Sequence, residues 1–115
     1  MRSPPCILVV DDNAQVLRMI SRALEQAGYT VKQALHGRAA LAHLDADCPD
    51  LLITDNRMPD LSGDALIAEA RVRFPELRIL RLSGGGDDGQ AGVATLYKPF
   101  DPDELLGVVR ELLAA

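Results

Sequence analysis

The sequence has little of what nucleic-acid recognition requires. Its 115 residues contain no Trp and only two Phe and two Tyr, and its 12 Lys and Arg are outnumbered by 17 Asp and Glu. The net charge is −5 at pH 7, and the basic residues are scattered rather than clustered. Binding to a phosphate backbone needs a basic face, and base stacking needs aromatic side chains. We expect no direct binding of DNA or RNA by this chain.

Long apolar runs and paired cysteines are also lacking. No run approaches the roughly 18 apolar residues of a membrane span. The N-terminal apolar stretch meets two acids, Asp11 and Asp12, after five residues, which is too short for the core of a signal peptide. Cys6 and Cys48 lack the spacing of metal ligands. These absences predict no membrane association, a cytoplasmic location, and cysteines that act as small buried hydrophobic residues.

Two kinds of apolar pattern alternate along the chain. Short continuous runs such as CILVV (6–10) are typical of buried parallel strands, whereas apolar residues three and four apart are typical of amphipathic helices. Strands are predicted over 6–10, 29–34, 51–54, 78–82 and 93–97, and helices over 14–27, 37–45, 64–74 and from 102 onward. The last helix has the clearest start, a capping box of Asp101 and Glu104. The alternation predicts an α/β fold, a doubly wound five-stranded parallel sheet, and residues 1–115 are predicted to form one domain.

Polar side chains follow four of the predicted strands. Asp11 and Asp12 come after the first strand, Asp55 after the third, Ser83 after the fourth and Lys98 after the fifth. Because the carboxyl ends of parallel strands meet at one edge of the sheet, these five side chains are expected to converge there.

The expected cluster has the chemistry of a phosphoryl acceptor. Three neighbouring carboxylates repel one another, and a hard divalent cation such as Mg²⁺ removes that repulsion. A carboxylate can also attack phosphorus and form an aspartyl-phosphate. A Lys and a Ser hydroxyl would stabilise the phosphoryl charge. The sequence therefore predicts a Mg²⁺-dependent site that receives a phosphoryl group on one Asp.

The motifs ILVVDD, LLITDNRMPDLSG, LRLSG and YKPF occur in this order over nearly the whole chain. Together they resemble the CheY-like receiver domain of bacterial two-component response regulators. The resemblance implies a flavodoxin-like sheet of order 2-1-3-4-5 and phosphorylation by a histidine kinase or phosphotransfer protein. It implies a regulatory phosphoacceptor rather than an enzyme, with at most self-phosphorylation from small donors and autodephosphorylation, and an output protein that the sequence does not identify.

The resemblance also implies the roles of the acidic residues. Asp55 would be the phosphoacceptor and a Mg²⁺ ligand, and Asp12 would be a direct ligand. Asp11 would act largely through water, and the backbone carbonyl of Arg57 would be a further ligand.

On the other two strands, the resemblance makes Ser83 the switch hydroxyl and Lys98 its counter-charge, and it implies a cis peptide bond before Pro99. The family carries a switch aromatic residue three positions before the Lys, where this chain has Thr95. Tyr97 lies on the same strand face as Thr95 and is either a shifted switch aromatic or a packing residue.

The stretch between Ser83 and Lys98 departs from the family pattern. Only 14 residues, 84–97, intervene, and five of them are Gly. Since each interior Gly costs a helix about 1 kcal/mol, we predict that the family's fourth helix is deleted and a flexible loop remains. A phosphate-binding loop is the alternative, but it needs a Lys and a Ser or Thr after the glycines. On the exposed sheet face that a deletion would leave, Arg81 is predicted to reach water or a partner, and a homodimer could cover the face.

Two other functions stay open. A degenerate receiver would act as a phosphorylation-independent binding module, and a Mg²⁺-dependent hydrolase would turn over small phosphate esters. The hydrolase usually has acids spaced D-x-D, whereas here the acids are adjacent and Arg57 follows Asp55 by two positions. The ends of the chain suit a stand-alone regulator as well as a domain of a longer protein.

Overall fold

In a computed structural model, which describes residues 2–85, 90 and 92–114, five parallel strands form one sheet in the order β2-β1-β3-β4-β5. The strands are β1 (Cys6–Val10), β2 (Thr30–Ala34), β3 (Leu51–Asp55), β4 (Arg78–Ser83) and β5 (Ala94–Tyr97). The helices are α1 (Ala14–Gln26), α2 (Gly37–Ala46), α3 (Gly63–Arg73) and α4 (Pro102–Ala114). The predicted fold class and strand order are confirmed. None of these helices is long and apolar enough to cross a bilayer.

The central strands are buried from end to end. Every residue of β1 and β3 is buried, as expected for continuous aliphatic runs in a sheet covered on both faces. The edge strands β2 and β5 are only partly buried. The central strands therefore fix the position of whatever follows their carboxyl ends.

Helices cover the two sheet faces in pairs. On one face α1 and α4 contribute six buried side chains: Leu17, Ile20, Leu24, Leu105, Val109 and Leu113. On the other face α2 and α3 contribute five: Ala40, Leu44, Leu66, Ile67 and Ala70. The predicted helix 14–27 ends one residue earlier, at Gln26, and Ala27 is its exposed C-cap.

Side-chain caps fix the starts of three helices near the functional edge. The carboxamide oxygen of Asn13 accepts hydrogen bonds from the amides of Gln15 and Val16 at the start of α1, and Ser62 caps α3. At α4 the predicted capping box is confirmed, with Glu104 N donating to Asp101 Oδ1 at 2.8 Å and Asp101 N donating to Glu104 Oε1 at 3.3 Å.

The prediction for Arg81 is wrong. Its side chain is 1% exposed and forms an ion pair with Asp64 in the first turn of α3. The sheet face at β4 is therefore covered instead of open to solvent, because α3 supplies a carboxylate at the level of the guanidinium.

The connection from β4 to β5 is described only in part. Gly84, Gly85, Gln90, Gly92 and Val93 belong to no helix, and Gly85 and Gly92 have φ values of 97° and 79° that favour glycine. The other positions of the connection, 86–89 and 91, lie outside the described residues, so the deletion of a fourth helix and the flexible loop stay predictions.

Candidate functional site

Three carboxylates meet at the carboxyl edge of the sheet. Asp11 and Asp12 follow β1, and Asp55 is the last residue of the adjacent β3, where Val10 and Thr54 are register partners. One carboxylate oxygen of each Asp lies within 4.8 Å of the others. The structure thus brings together the three carboxylates that were predicted to meet at the strand ends.

Asp11 has one satisfied and one unsatisfied carboxylate oxygen. The side chain is 1% exposed, and its Oδ1 accepts a hydrogen bond from Asn13 N at 2.9 Å. Its Oδ2 is buried and has no hydrogen-bond partner among the described residues. Burial raises the pKa of Asp11 above 3.8, the hydrogen bond from Asn13 lowers it, and the neighbouring Asp55 raises it. A buried oxygen without a donor, beside two more carboxylates, fits a hard cation.

Asp55 lies between a backbone donor and a cation. It is 8% exposed, and its Oδ1 accepts hydrogen bonds from Asn56 N at 2.9 Å and from Lys98 Nζ at 3.4 Å. Lys98 Nζ also lies 3.8 Å from Asp11 Oδ2. A single ammonium group therefore contacts two of the three carboxylates and leaves an excess of negative charge. A divalent cation at the cluster would balance that excess of negative charge, as the Mg²⁺ prediction requires.

Ser83 and Lys98 lie on the other side of Asp55. Ser83 ends β4, is fully buried, and accepts a hydrogen bond on Oγ from Gly85 N at 3.0 Å. Lys98 N donates to Ser83 O at 2.7 Å, which joins the ends of β4 and β5. The Lys98–Pro99 peptide bond is cis.

Tyr97 does not pack into the protein. It is the register partner of Ser83, but its side chain is 50% exposed and belongs to neither hydrophobic core cluster. The structure therefore gives no support to the packing alternative. The role of a shifted switch aromatic stays a prediction.

Two contacts beside the site were not anticipated from the sequence. A Cβ added to Gly63 would lie 1.8 Å from Asp55 O, so the start of α3 packs directly against the end of β3. Asp60 accepts hydrogen bonds from the amides of Gly37 and Arg38, both at 3.2 Å, and so joins the loop after β3 to the start of α2. No local pattern signals the second contact, because its partners are 22 and 23 positions apart in the chain.

Comparison with known proteins gives one family. The response regulator receiver domain matches residues 7–110. The DNA-binding transcriptional regulator NtrC of Salmonella typhimurium is 33% identical over an alignment of 115 positions. The alignment covers 94% of this chain and 24% of that protein. Response regulator Rre1 of Synechocystis is 36% identical over an alignment of 124 positions. The alignment covers 99% of this chain and 54% of that protein. The chain thus spans about a quarter to a half of the length of these relatives.

Solved structures agree with the sequence match. A CheY-like receiver domain protein from Methanospirillum hungatei superposes with a TM-score of 0.91 at 28% identity, over 96% of this chain and 94% of that one. Chemotaxis response regulator CheY4 of Vibrio cholerae superposes with a TM-score of 0.86 at 30% identity, over 94% and 98%. The similarity therefore extends over almost the whole of each receiver structure.

Proposed function

Because the chain belongs to the response regulator receiver domain family, we propose that it is phosphorylated on Asp55 by a histidine kinase or phosphotransfer protein with Mg²⁺ as cofactor. Receiver domains are regulatory phosphoacceptors that interact with such partners. The observation that carries the proposal is the position of Asp55, buried at the end of β3 with Asp11 and Asp12 oxygens within 4.8 Å and Lys98 Nζ at 3.4 Å.

In the proposed reaction a carboxylate oxygen of Asp55 attacks phosphorus. A new P–O bond forms, and the bond between phosphorus and the donor breaks, so that its electron pair leaves with the donor. Lys98 would stabilise the negative charge of the phosphoryl group, and the Ser83 hydroxyl would turn to donate to one of its oxygens. The enzyme-like steps are limited to this transfer and to later hydrolysis of the aspartyl-phosphate.

The residues present fit a magnesium ion. Asp12 and Asp55 would hold it directly, Asp11 largely through water, and the Arg57 backbone carbonyl would be a further ligand. When bound, the ion would neutralise the carboxylates and the transferred phosphoryl group. The buried Oδ2 of Asp11, which accepts no hydrogen bond from the described residues, supports a cation at this position.

Intact mass after incubation with acetyl phosphate and Mg²⁺ tests the proposal. We expect the wild type to gain the mass of one phosphoryl group and Asp55→Asn to gain none. Asp103→Asn is the matched control, since Asp103 is an exposed acid in the first turn of α4, and it should gain the same mass as the wild type. No gain in a folded wild type would contradict the proposal and favour a phosphorylation-independent binding module. Steady release of phosphate over many turnovers would instead favour a hydrolase.

The extent of the protein and its assembly complete the proposal. Residues 1–115 form a single receiver domain, and the output protein is not identified. A homodimer forms through the face that would lack the fourth helix, and the half-exposed Tyr97 on the neighbouring edge strand β5 supports this. Sedimentation with and without a phosphoryl group on Asp55 tests this, and a monomer in both states would contradict it. The predicted cytoplasmic location stays a prediction.

A further inference from the structure

A second polar cluster lies beside the phosphoacceptor site, where α3 crosses β4. Arg81 Nε donates to Asp64 Oδ1 at 2.7 Å, and Arg81 Nη2 donates to Asp64 Oδ2 at 3.4 Å. The Arg81 side chain is 1% exposed and that of Asp64 is 46% exposed. Such a two-pronged contact between a planar guanidinium and a carboxylate fixes both position and orientation.

Arg81 is part of a polar row across the sheet. Its register partners are Thr54 on β3 and Thr95 on β5. The row lies on the face that α2 and α3 cover, since Ile79, two positions before Arg81 on β4, belongs to the core of that face. An apolar row would need an apolar cover. In this polar row Arg81 is instead hydrogen-bonded to Asp64 of α3, and Thr54 Oγ1 donates to the backbone oxygen of Asp55 at 2.9 Å.

The same carboxylate also holds the chain on its way to β5. Gln90 Nε2 donates to Asp64 Oδ1 and to Asp64 O, both at 3.1 Å. Gln90 O accepts a hydrogen bond from Val93 N at 3.1 Å, directly before β5. A Cβ added to Gly92 would lie 3.1 Å from Arg71 Nη2 of α3, so the chain passes close to this helix. Asp64 thus binds β4 and the approach to β5 at once.

Two contacts link this region to Asp55, one through the start of α3 and one through Ser83. Asp64 follows Gly63, which is seated on the backbone of Asp55, so α3 and its carboxylate are tied to β3. The second contact is the hydrogen bond that Ser83 Oγ accepts from Gly85 N. If the Ser83 hydroxyl turns toward a phosphoryl group on Asp55, its contact with Gly85 changes, while the hydrogen bonds of Gln90 to Asp64 hold the approach to β5 against α3 and oppose the movement.

We propose that Asp64, Arg81 and Gln90 form a latch that holds the approach to β5 against α3 and thereby opposes phosphorylation of Asp55. This inference rests on the proposed function. The reaction proceeds from the arrangement that the latch opposes, so the latch lowers the population of that arrangement and its removal raises the rate of phosphorylation. Arg81 and Asp64 are positioning residues in this scheme, and Gln90 is the part that detaches.

Gln90 is the position to change, because Arg81 is buried and its replacement could unfold the protein. Gln90→Ala removes both hydrogen bonds to Asp64, and Gln90→Glu also places a carboxylate against the Asp64 carboxylate. Gln33→Ala on β2 is the matched control, since Gln33 is exposed and far from α3 in the sheet order. Two quantities are measured: amide hydrogen exchange at Gln90 and Val93, and the initial rate of phosphorylation by acetyl phosphate with Mg²⁺.

We expect Gln90→Ala to accelerate exchange at Val93 and to raise the phosphorylation rate by about fivefold or more, since the loss of one hydrogen bond of about 1 kcal/mol already corresponds to about fivefold and two are removed. Gln90→Glu should exceed both effects, and Gln33→Ala should match the wild type. A merely structural role predicts slower phosphorylation, so the sign of the change separates the two. Faster exchange at Val93 with an unchanged or lower phosphorylation rate would overturn the latch. A wild type that takes up no phosphoryl group would overturn the proposed function and the coupling together, while faster exchange in Gln90→Ala would still identify the attachment to Asp64.

Discussion

Replacing Gly63 by Ala tests how closely the start of α3 packs against the end of β3. The added Cβ would lie 1.8 Å from Asp55 O and 2.7 Å from the Cα of Asn56. Favourable contact between such atoms requires about 3.5 Å or more, so the helix start and the strand end must move apart. Both neighbours are backbone atoms of a buried strand end and cannot rotate out of the way as a side chain does.

The expected net loss of stability follows from two opposing effects. Overpacking a well-packed site costs about 1–3 kcal/mol, and a clash with backbone belongs at the upper end of that range. Ala is a better helix former than Gly by about 1 kcal/mol, which offsets part of the cost. The free energy of unfolding should therefore fall by about 2 kcal/mol, which corresponds to a decrease in Tm of roughly 8–16 °C for a domain of about 100 residues.

Urea unfolding followed by circular dichroism measures this change, and Gly107→Ala is the control. Gly107 lies inside α4, and a Cβ there meets nothing within 4 Å, so this substitution should raise the free energy of unfolding by about 1 kcal/mol. Gly63→Ala should also slow phosphorylation by acetyl phosphate, because Asp55 is displaced. Wild-type stability together with a wild-type rate in Gly63→Ala would refute the packing argument.

Three further predictions concern single carboxylates. Asp101→Ala removes the oxygen that accepts from Glu104 N at 2.8 Å, and should lower the free energy of unfolding in urea by about 1 kcal/mol. Asp11→Asn should raise the free energy of unfolding of the metal-free protein at pH 7. Burial raises the pKa of Asp11 in the folded protein above 3.8, its value in the unfolded chain, so the folded protein binds more protons than the unfolded chain between these two pKa values. The folded protein therefore loses stability as the pH rises through that range. We expect Mg²⁺ to raise the Tm of the wild type and to raise that of the same variant less or not at all. For Asp60, burial acts to raise the pKa, but the backbone amides of Arg38, Leu61, Gly37 and Asp60 lower it overall. Its cap on α2 is therefore complete above pH 3.8 and lost as the pH falls through the lower folded pKa. A fall in the protection of the Arg38 amide, measured as its exchange rate relative to an unprotected amide at the same pH, checks this.

Each of these has an outcome that contradicts it. Asp101→Ala with an unchanged urea midpoint would mean that the capping box adds nothing to α4. A metal-free Asp11→Asn that is less stable than the wild type would mean that its charged form is favoured in the fold. For Asp60, the comparison is Asp60→Asn, in which the acid-dependent rise in exchange should be absent, and its persistence there would assign the effect to another group.

The residues at the strand ends could be located from the sequence, because their position depends on little besides the parallel sheet. Once CILVV and LLIT are buried parallel strands, Asp11 and Asp55 must emerge at the same edge, whatever the helices do. The capping box of α4 was equally predictable, since both of its hydrogen bonds join residues three positions apart. Local pattern and strand direction were sufficient for the fold class and for the composition of the candidate site.

The contacts that hold the helices against this edge depend on packing and could not be predicted in the same way. Arg81 was expected to reach solvent, and it is buried because Asp64, 17 positions away, lies on the side of α3 that faces β4. Two other contacts likewise depend on how far each helix is rotated and how closely it approaches the sheet. They are the close approach of Gly63 to Asp55 and the cap that Asp60 provides for α2. Helix caps depend on residues a few positions apart in the chain, whereas these distances are set by the volumes of side chains that meet only in the folded protein.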